Sequence, residues 1–519
     1  MSLRSDSPRL SHDVLLELMH HLPRQSDVSS LMRTSKTLWD SGIKPLLSRG
    51  VTVENAAQLS SFCDFMLKDG SRSRILHIRK LHLVFQLDEN GDADEDESDT
   101  ESDTENSNFD AASEDGASLH VPLSKGTLRR LAEVLQNAAN LEELRIDSCE
   151  EFFELHKGLA KSIKGLTRIR RLFVSSVGPL AADMLEHIKS TVVELDLHCR
   201  QVDMYEPDTL LPFVQSRRAS LEKLSAWYVE LDTPDALFPR LRALALRSFV
   251  DGELDVISLH RTFPNLQYLE LSSPSYLGCD ESRKANRPHA EKGLWSLAHL
   301  CGALDALYSL GMTPRTTKVE VDHIYSDAAI LDHLRTVISE ARPSHLVIHA
   351  GHFVLRRLDI KDIPALLPQA PEEVLVTHLS LNIHLRYLFG SADELVPALS
   401  ALLRGRSIKM FVLRLAHDME DSECRGGLTP NAQRSERDFL KGFGRAYQPD
   451  AVRRLIEATS SLQYVVLTVP RVGTTYWAAQ RAEATLGVEE LDGVVGRELL
   501  HREGLAYNDR SMPGIEGYP

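Results

Sequence analysis

The chain has 519 residues, 42% of them apolar, which is more than one ordinary domain needs and suits several domains or one elongated array. Its formal charge of −16 is local: residues 88–115 hold 14 Asp/Glu and no Lys/Arg, leaving −2 for the remainder and no basic face for DNA or RNA. No apolar run reaches the ~18–20 residues of a membrane span, the first residues lack a signal-peptide core, and six cysteines stand singly with no C-x-x-C pair. The sequence therefore predicts an intracellular protein, cytoplasmic and/or nuclear, with reduced thiols.

Residues 1–50 read as short amphipathic helices. Val14, Leu18 and Leu22 fall at i, i+4 and i+8, flanked by Leu15 and Met19, with Ser11 as N-cap and Pro23 as the stop. The next segment opens at Ser26 and Asp27 and sets Val28, Leu31, Met32, Leu38 and Trp39 on one face; Gly42 is expected to end it, and Ile43, Leu46 and Leu47 to begin a third. About forty residues bury too little surface to be comfortable alone, so such a unit leans on something else. The run Leu10, Asp13, Val14, Leu15, Leu18, Leu22, Pro23, Asp27, Val28, Leu31, Lys36 and Trp39 resembles the F-box family. Ser11 stands where that family usually has proline, and Ser35 where it often has cysteine. The resemblance implies docking on a Skp-family adaptor, and through it on cullin, by Leu10, Val14, Leu15, Leu18, Leu22, Pro23, Val28, Leu31 and Trp39.

The acidic stretch, taken as an insertion over 88–118 after a strand-like run at 81–87, has almost no large apolar residues and predicts disorder. It is not an EF-hand, because Ala93 holds the glycine position of the loop. Ser98, Thr100 and Ser102 each have an acidic residue three positions on and are candidate phosphoacceptors.

From residue 51 to about 470, short β-like runs alternate with helical stretches. Leu141/Leu144/Ile146, Ile169/Leu172/Val174, Leu221/Leu224/Ala226, Leu241/Leu244/Leu246 and Leu266/Leu269/Leu271 share the form L-x-x-L-x-L, and Leu195 centres a further run. The spacing brackets the ~20–29 residue period of leucine-rich repeats, which the units resemble without an asparagine ladder. After Leu271 the spacing stretches through a segment around 293–311 read as helical; looser runs follow at Val319, 344–351, 377–385, 408–416 and 462–470. A helical cap is expected from about Thr475 to Leu500 within a terminal region 471–519 that ends in a polar tail. The fold class is α/β: a short all-α F-box-like domain, then an irregular leucine-rich-repeat-like α/β solenoid. Trp227, Tyr228, Tyr268 and Trp295 are candidate aromatics for a binding face.

His345, His349 and His352 suggest a metal, but in a strand His345 and His349 share a side that His352 cannot easily join. Two histidines without a fixed carboxylate make a poor site, so no metal and no cofactor are expected. Nucleophile-elbow, P-loop, H-E-x-x-H and dinucleotide motifs are missing from the sequence, so no catalytic residue is assigned. The expected role is substrate recognition in a Skp–cullin–F-box ubiquitin ligase, with an unknown protein as target. The alternative is a repeat scaffold unrelated to ubiquitin ligation.

Overall fold

The structure is a computed structural model that describes residues 11–22, 24–68, 73–84, 123–199, 208–227, 229–230, 236–247, 255–272, 278–290, 297–311, 316–350, 357–368, 376–416, 439–482 and 485–505. The acidic insertion and its phosphoacceptors Ser98, Thr100 and Ser102 lie outside these residues, as do Leu10, Pro23, Tyr228, Trp295, His352 and the polar tail. The chain is mixed α/β and divides into two units, residues 1–202 with 212–220, and residues 203–211 with 221–519. Among the described residues no helix is long and apolar enough to cross a membrane.

The first unit opens with α1 (His12–His21), α2 (Gln25–Met32) and α3 (Lys36–Ser48). Ser11 caps α1 and Ser35 caps α3, each accepting a backbone N–H three residues on. Gly42 does not end a helix as expected. It sits inside α3 against Met32, where an added Cβ would lie 2.4 Å from Met32 Cγ, so its smallness lets α2 and α3 close together. The break falls instead at Arg33–Ser35, where a serine cap restarts the helix.

Five parallel strands follow in chain order: β1 (Val51–Val53), β2 (Lys80–Leu83), β3 (Glu143–Ile146), β4 (Arg171–Val177) and β5 (Glu194–Cys199). Helices such as Lys125–Asn137 and Pro179–His187 return the chain, as parallel pairing requires. Alternation puts Leu81/Leu83, Leu144/Ile146, Leu172/Val174 and Leu195/Leu197 in the core, and Leu81, Leu144, Leu172 and Leu195 are successive register partners.

The second unit holds β6 (Asp208–Thr209), β7 (Lys223–Trp227), β8 (Val229–Glu230), β9 (Ala243–Arg247), β10 (Tyr268–Ser272), β11 (His299–Ala303), β12 (Lys318–Ile324), β13 (His345–Ala350), β14 (Leu358–Asp359), β15 (His378–His384), β16 (Leu388–Phe389), β17 (Met410–Ala416), β18 (Tyr464–Val469), β19 (Gly473–Ala482) and β20 (Thr485–Leu491). The strands β7, β9, β10, β11, β12, β13, β15, β17 and β18 run parallel, while the two-residue strands pair separately, β6 with β8 and β14 with β16. Most of these strands start with one device: a single carbonyl accepts two consecutive N–H groups of the next strand's start, as Ser344 O does from Thr377 and His378 and Thr377 O from Lys409 and Met410.

Two expectations change here. The segment read as helical around 293–311 contains β11, and among its described residues only Leu304–Ser309 is helix; Leu300 pairs with Leu269 and Val319, so the parallel strand order continues where the spacing stretched. The stretch from Thr475 forms the antiparallel hairpin β19–β20, and among the described residues after it helix is confined to Gly493–Arg502. Its Thr474, Thr475, Tyr476 and Trp477 are β-branched or aromatic, types that favour a half-buried pleated surface over a helix.

Candidate functional site

Two surfaces carry chemistry. In the N-terminal helices, Met19, Val28, Met32, Leu38, Ile43 and Leu47 form the small core. Arg49 locks it: its guanidinium donates to the carbonyls of Leu22, Met19 (2.8 Å) and His20 (3.0 Å), satisfying the C-terminal end of α1. Of the residues expected to face an adaptor, Val28 is in this core, Leu15, Leu22 and Leu31 are half-buried, and Val14, Leu18 and Trp39 are 50%, 43% and 40% exposed. Val14 and Leu18 share one stripe of α1.

The second surface is the side of the strands opposite the leucines. In the first unit it carries alternating charges at register partners: Lys80 Nζ lies 3.2 Å from Glu143, Arg171 Nη1 3.5 Å from Glu143, and Arg171 Nε 3.1 Å from Glu194. His82 adds a 2.8 Å contact to Glu143. That hydrogen bond, helped by Lys80, outweighs burial and holds the Glu143 carboxyl down at about 2.

In the second unit the same side is a hydrogen-bonded row. Arg247 grips Glu270 through two nitrogens, at 2.6 and 3.1 Å, and Tyr268 donates its hydroxyl to Glu270 at 2.7 Å. Tyr268 is therefore buried, not an exposed anchor, and burial pushes its phenol well above its ordinary range. Farther along, Arg414 donates to Asn382 Oδ1 (3.2 Å) and Ser380 Oγ (2.9 Å), Asn382 Nδ2 donates to His349 Nδ1 (3.0 Å), and His349 Nε2 meets Glu320 at 2.8 Å. Burial alone would raise the Glu320 carboxyl; the imidazoles of His299 and His349 and the Lys318 ammonium hold it well below the usual range. His349 shares a side of β13 with His345, as expected, but its partners are Glu320 and Asn382.

The C-terminal helix Gly493–Arg502 lies over part of this side. Leu499, Leu500, Leu505 and Tyr476 form one buried cluster with Val347, Met410, Val412 and Val466 from β13, β17 and β18. Gly496 permits the contact, since an added Cβ would stand 2.1 Å from Tyr476 Cγ. The helix ends in a Schellman motif: Gly504 is left-handed at φ 64°, its N–H donates to His501 O (3.1 Å), and Leu505 N–H donates to Leu500 O (3.0 Å). That turn aims three consecutive residues at the strands. Glu503 meets His378, Gly504 O accepts from Lys318 Nζ at 3.2 Å, and Leu505 O accepts from Arg414.

His345 and His378 are register partners on β13 and β15, their rings stacked 4.2 Å apart and 4° from parallel. Burial, with His378 beside it, lowers the His345 imidazole to about 4; burial lowers His378 as well, against the pull of Glu503.

The fold and these surfaces define a mixed α/β protein with parallel strands, a polar sheet side and an exposed apolar helix stripe. No protein-family model matches the chain, and no curated protein matches its sequence.

Proposed function

We propose that the chain is a substrate-recognition subunit of a Skp–cullin–F-box ubiquitin ligase. In this reading residues 1–50 form an F-box-like domain that docks on a Skp-family adaptor, and the repeats form an irregular leucine-rich-repeat-like solenoid that holds the target protein. Holding the target near a cullin-bound conjugating enzyme raises their effective concentration; the chemistry belongs to other subunits. The observation that carries the proposal is the exposed apolar stripe of Val14 and Leu18 on α1, with Trp39 on α3, in a helical unit whose other described large apolar side chains are buried or half-buried. Solvent-facing apolar residues at i and i+4 suit an apolar helix-to-helix contact. Full burial of Val28 in the unit's own core favours the rival reading, a capped interaction scaffold without a ligase.

Co-purification with a recombinant Skp adaptor tests this. Val14→Asp with Leu18→Asp, on exposed positions, should leave the circular dichroism spectrum unchanged and weaken adaptor binding at least about tenfold, the ~1.4 kcal/mol expected from desolvating two charges in an apolar contact. An intact chain that fails to bind the adaptor, or a double variant that binds as well as the parent, rules the reading out.

A further inference from the structure

His345 Nδ1 lies 2.8 Å from Ser344 Oγ and His378 Nδ1 2.8 Å from Thr377 Oγ1. These hydroxyls give each Nδ1 a partner and leave both Nε2 atoms to the other side, where Glu503 Oε2 lies 3.2 Å from His378 Nε2. Where Nε2 carries no proton it presents a lone pair to the carboxylate, and a cation there joins imidazole to carboxylate.

We infer that His345, His378 and Glu503 form a binding site for a first-row divalent transition metal ion of the zinc class, completed only when the C-terminal helix is docked. Ligand atoms of the three residues lie within 4.8 Å of one another. Two ligands on one tetrahedral zinc at ~2.0–2.1 Å stand about 3.4 Å apart, close to the 3.2 Å His378–Glu503 separation. The partners outside the ligand set are those such sites use: a hydroxyl on each Nδ1–H and Arg502 Nε on Glu503 Oε1 at 3.0 Å. Calcium and magnesium do not suit the site, which offers one carboxylate and two imidazoles with Lys318 and Lys409 close by. His345, His378 and Glu503 are all partly exposed, so an ion can enter and water can fill the remaining positions. Two other groupings fit less well. In His299, Cys301 and Glu320 the carboxylate is already committed to His349, and in Cys279, Asp305 and His333 the His333 ring is stacked on Tyr308 with Nδ1 on Asp305.

The inference is independent of ligase function and is tested on the full chain without an affinity tag. Cobalt(II) titration should give one equivalent with visible d–d bands, displaced by zinc. His378→Ala and Glu503→Gln should each weaken cobalt binding at least about 100-fold, the upper end of what loss of even an outer partner costs. Glu503→Gln leaves the outer contacts possible and so separates binding from folding, which circular dichroism checks. Zinc should also slow hydrogen exchange over residues 493–505 in the parent and not in Glu503→Gln. Absence of cobalt binding would show that a proton bridges His378 and Glu503 and would overturn the site. So would unchanged affinity in both variants, or affinity lost instead in Cys301→Ser or Cys279→Ser.

Discussion

Glu150 is 3% exposed, and its carboxylate accepts N–H bonds from Gly178 (3.2 Å), Leu180 (2.8 Å) and Ala181 (2.9 Å). It caps the helix Pro179–His187 from a neighbouring helix, serving donors that Pro179 and the helix start leave open. Glu150→Ala strands three donors, the one on Ala181 buried and those on Gly178 and Leu180 half-buried, and should cost about 2–3 kcal/mol in urea unfolding; a loss below about 0.5 kcal/mol would mean water replaces the cap. Glu143 makes a pH-dependent contribution. Its folded carboxyl titrates at about 2 against an ordinary 4.5, so the unfolded chain takes the proton more readily. The stabilisation is complete above about pH 4.5 and fades as pH falls toward 2, amounting to at most about 3 kcal/mol. Unfolding free energy measured from pH 6 to pH 2.5 should fall less steeply in Glu143→Gln than in the parent. Neither role was legible in the sequence, since Glu150 and Gly178, like His82 and Glu143, meet only after the chain has folded.

At the scale of elements, legibility followed periodicity. The L-x-x-L-x-L runs anticipate the strands, and Leu224, Leu244 and Leu269 are register partners as their common spacing implied. Period alone could not separate strand from helix at residues 297–309, where apolar residues are nearly continuous and the chain passes from β11 into a helix at Leu304 without a turn. The C-terminal helix gives the clearest test of packing against propensity. In a solvent-facing helix Gly→Ala stabilises by about 1 kcal/mol. At Gly496 the new methyl group would strike Tyr476, so Gly496→Ala should instead destabilise, and hydrogen exchange over residues 493–505 should accelerate at least about tenfold. Slower exchange in that variant would show that the helix is not seated on Tyr476.

At the scale of the whole molecule, the leucine side and the polar side of the strands differ in how far sequence reveals them. Burying leucines is a demand each repeat makes on itself, so it recurs within each short run. The polar side is specified between repeats: Arg247 is matched by Glu270 and His345 by His378, and Glu503 arrives from far downstream. Such pairings have no local signature: His345 and His349 share the polar side of β13 as their spacing implied, but the sequence does not show that one meets His378 and the other Glu320 and Asn382. The exposed Val14 and Leu18 were legible as an apolar stripe; which side of α1 would face solvent was not. One feature also bears on how the protein behaves in a crowded solution. A parallel array is open-ended, because the free edge of its last parallel strand can recruit a like strand from another copy and polymerise head to tail. Here β18 is followed by an antiparallel partner, and β20, which among the described residues pairs with β19 alone, bears exposed Glu489 and Glu490. The hairpin is therefore expected to stop strand addition at this edge. A chain cut after Val469 should form concentration-dependent oligomers in light scattering where the parent shows none; if both scatter alike, the edge is guarded elsewhere.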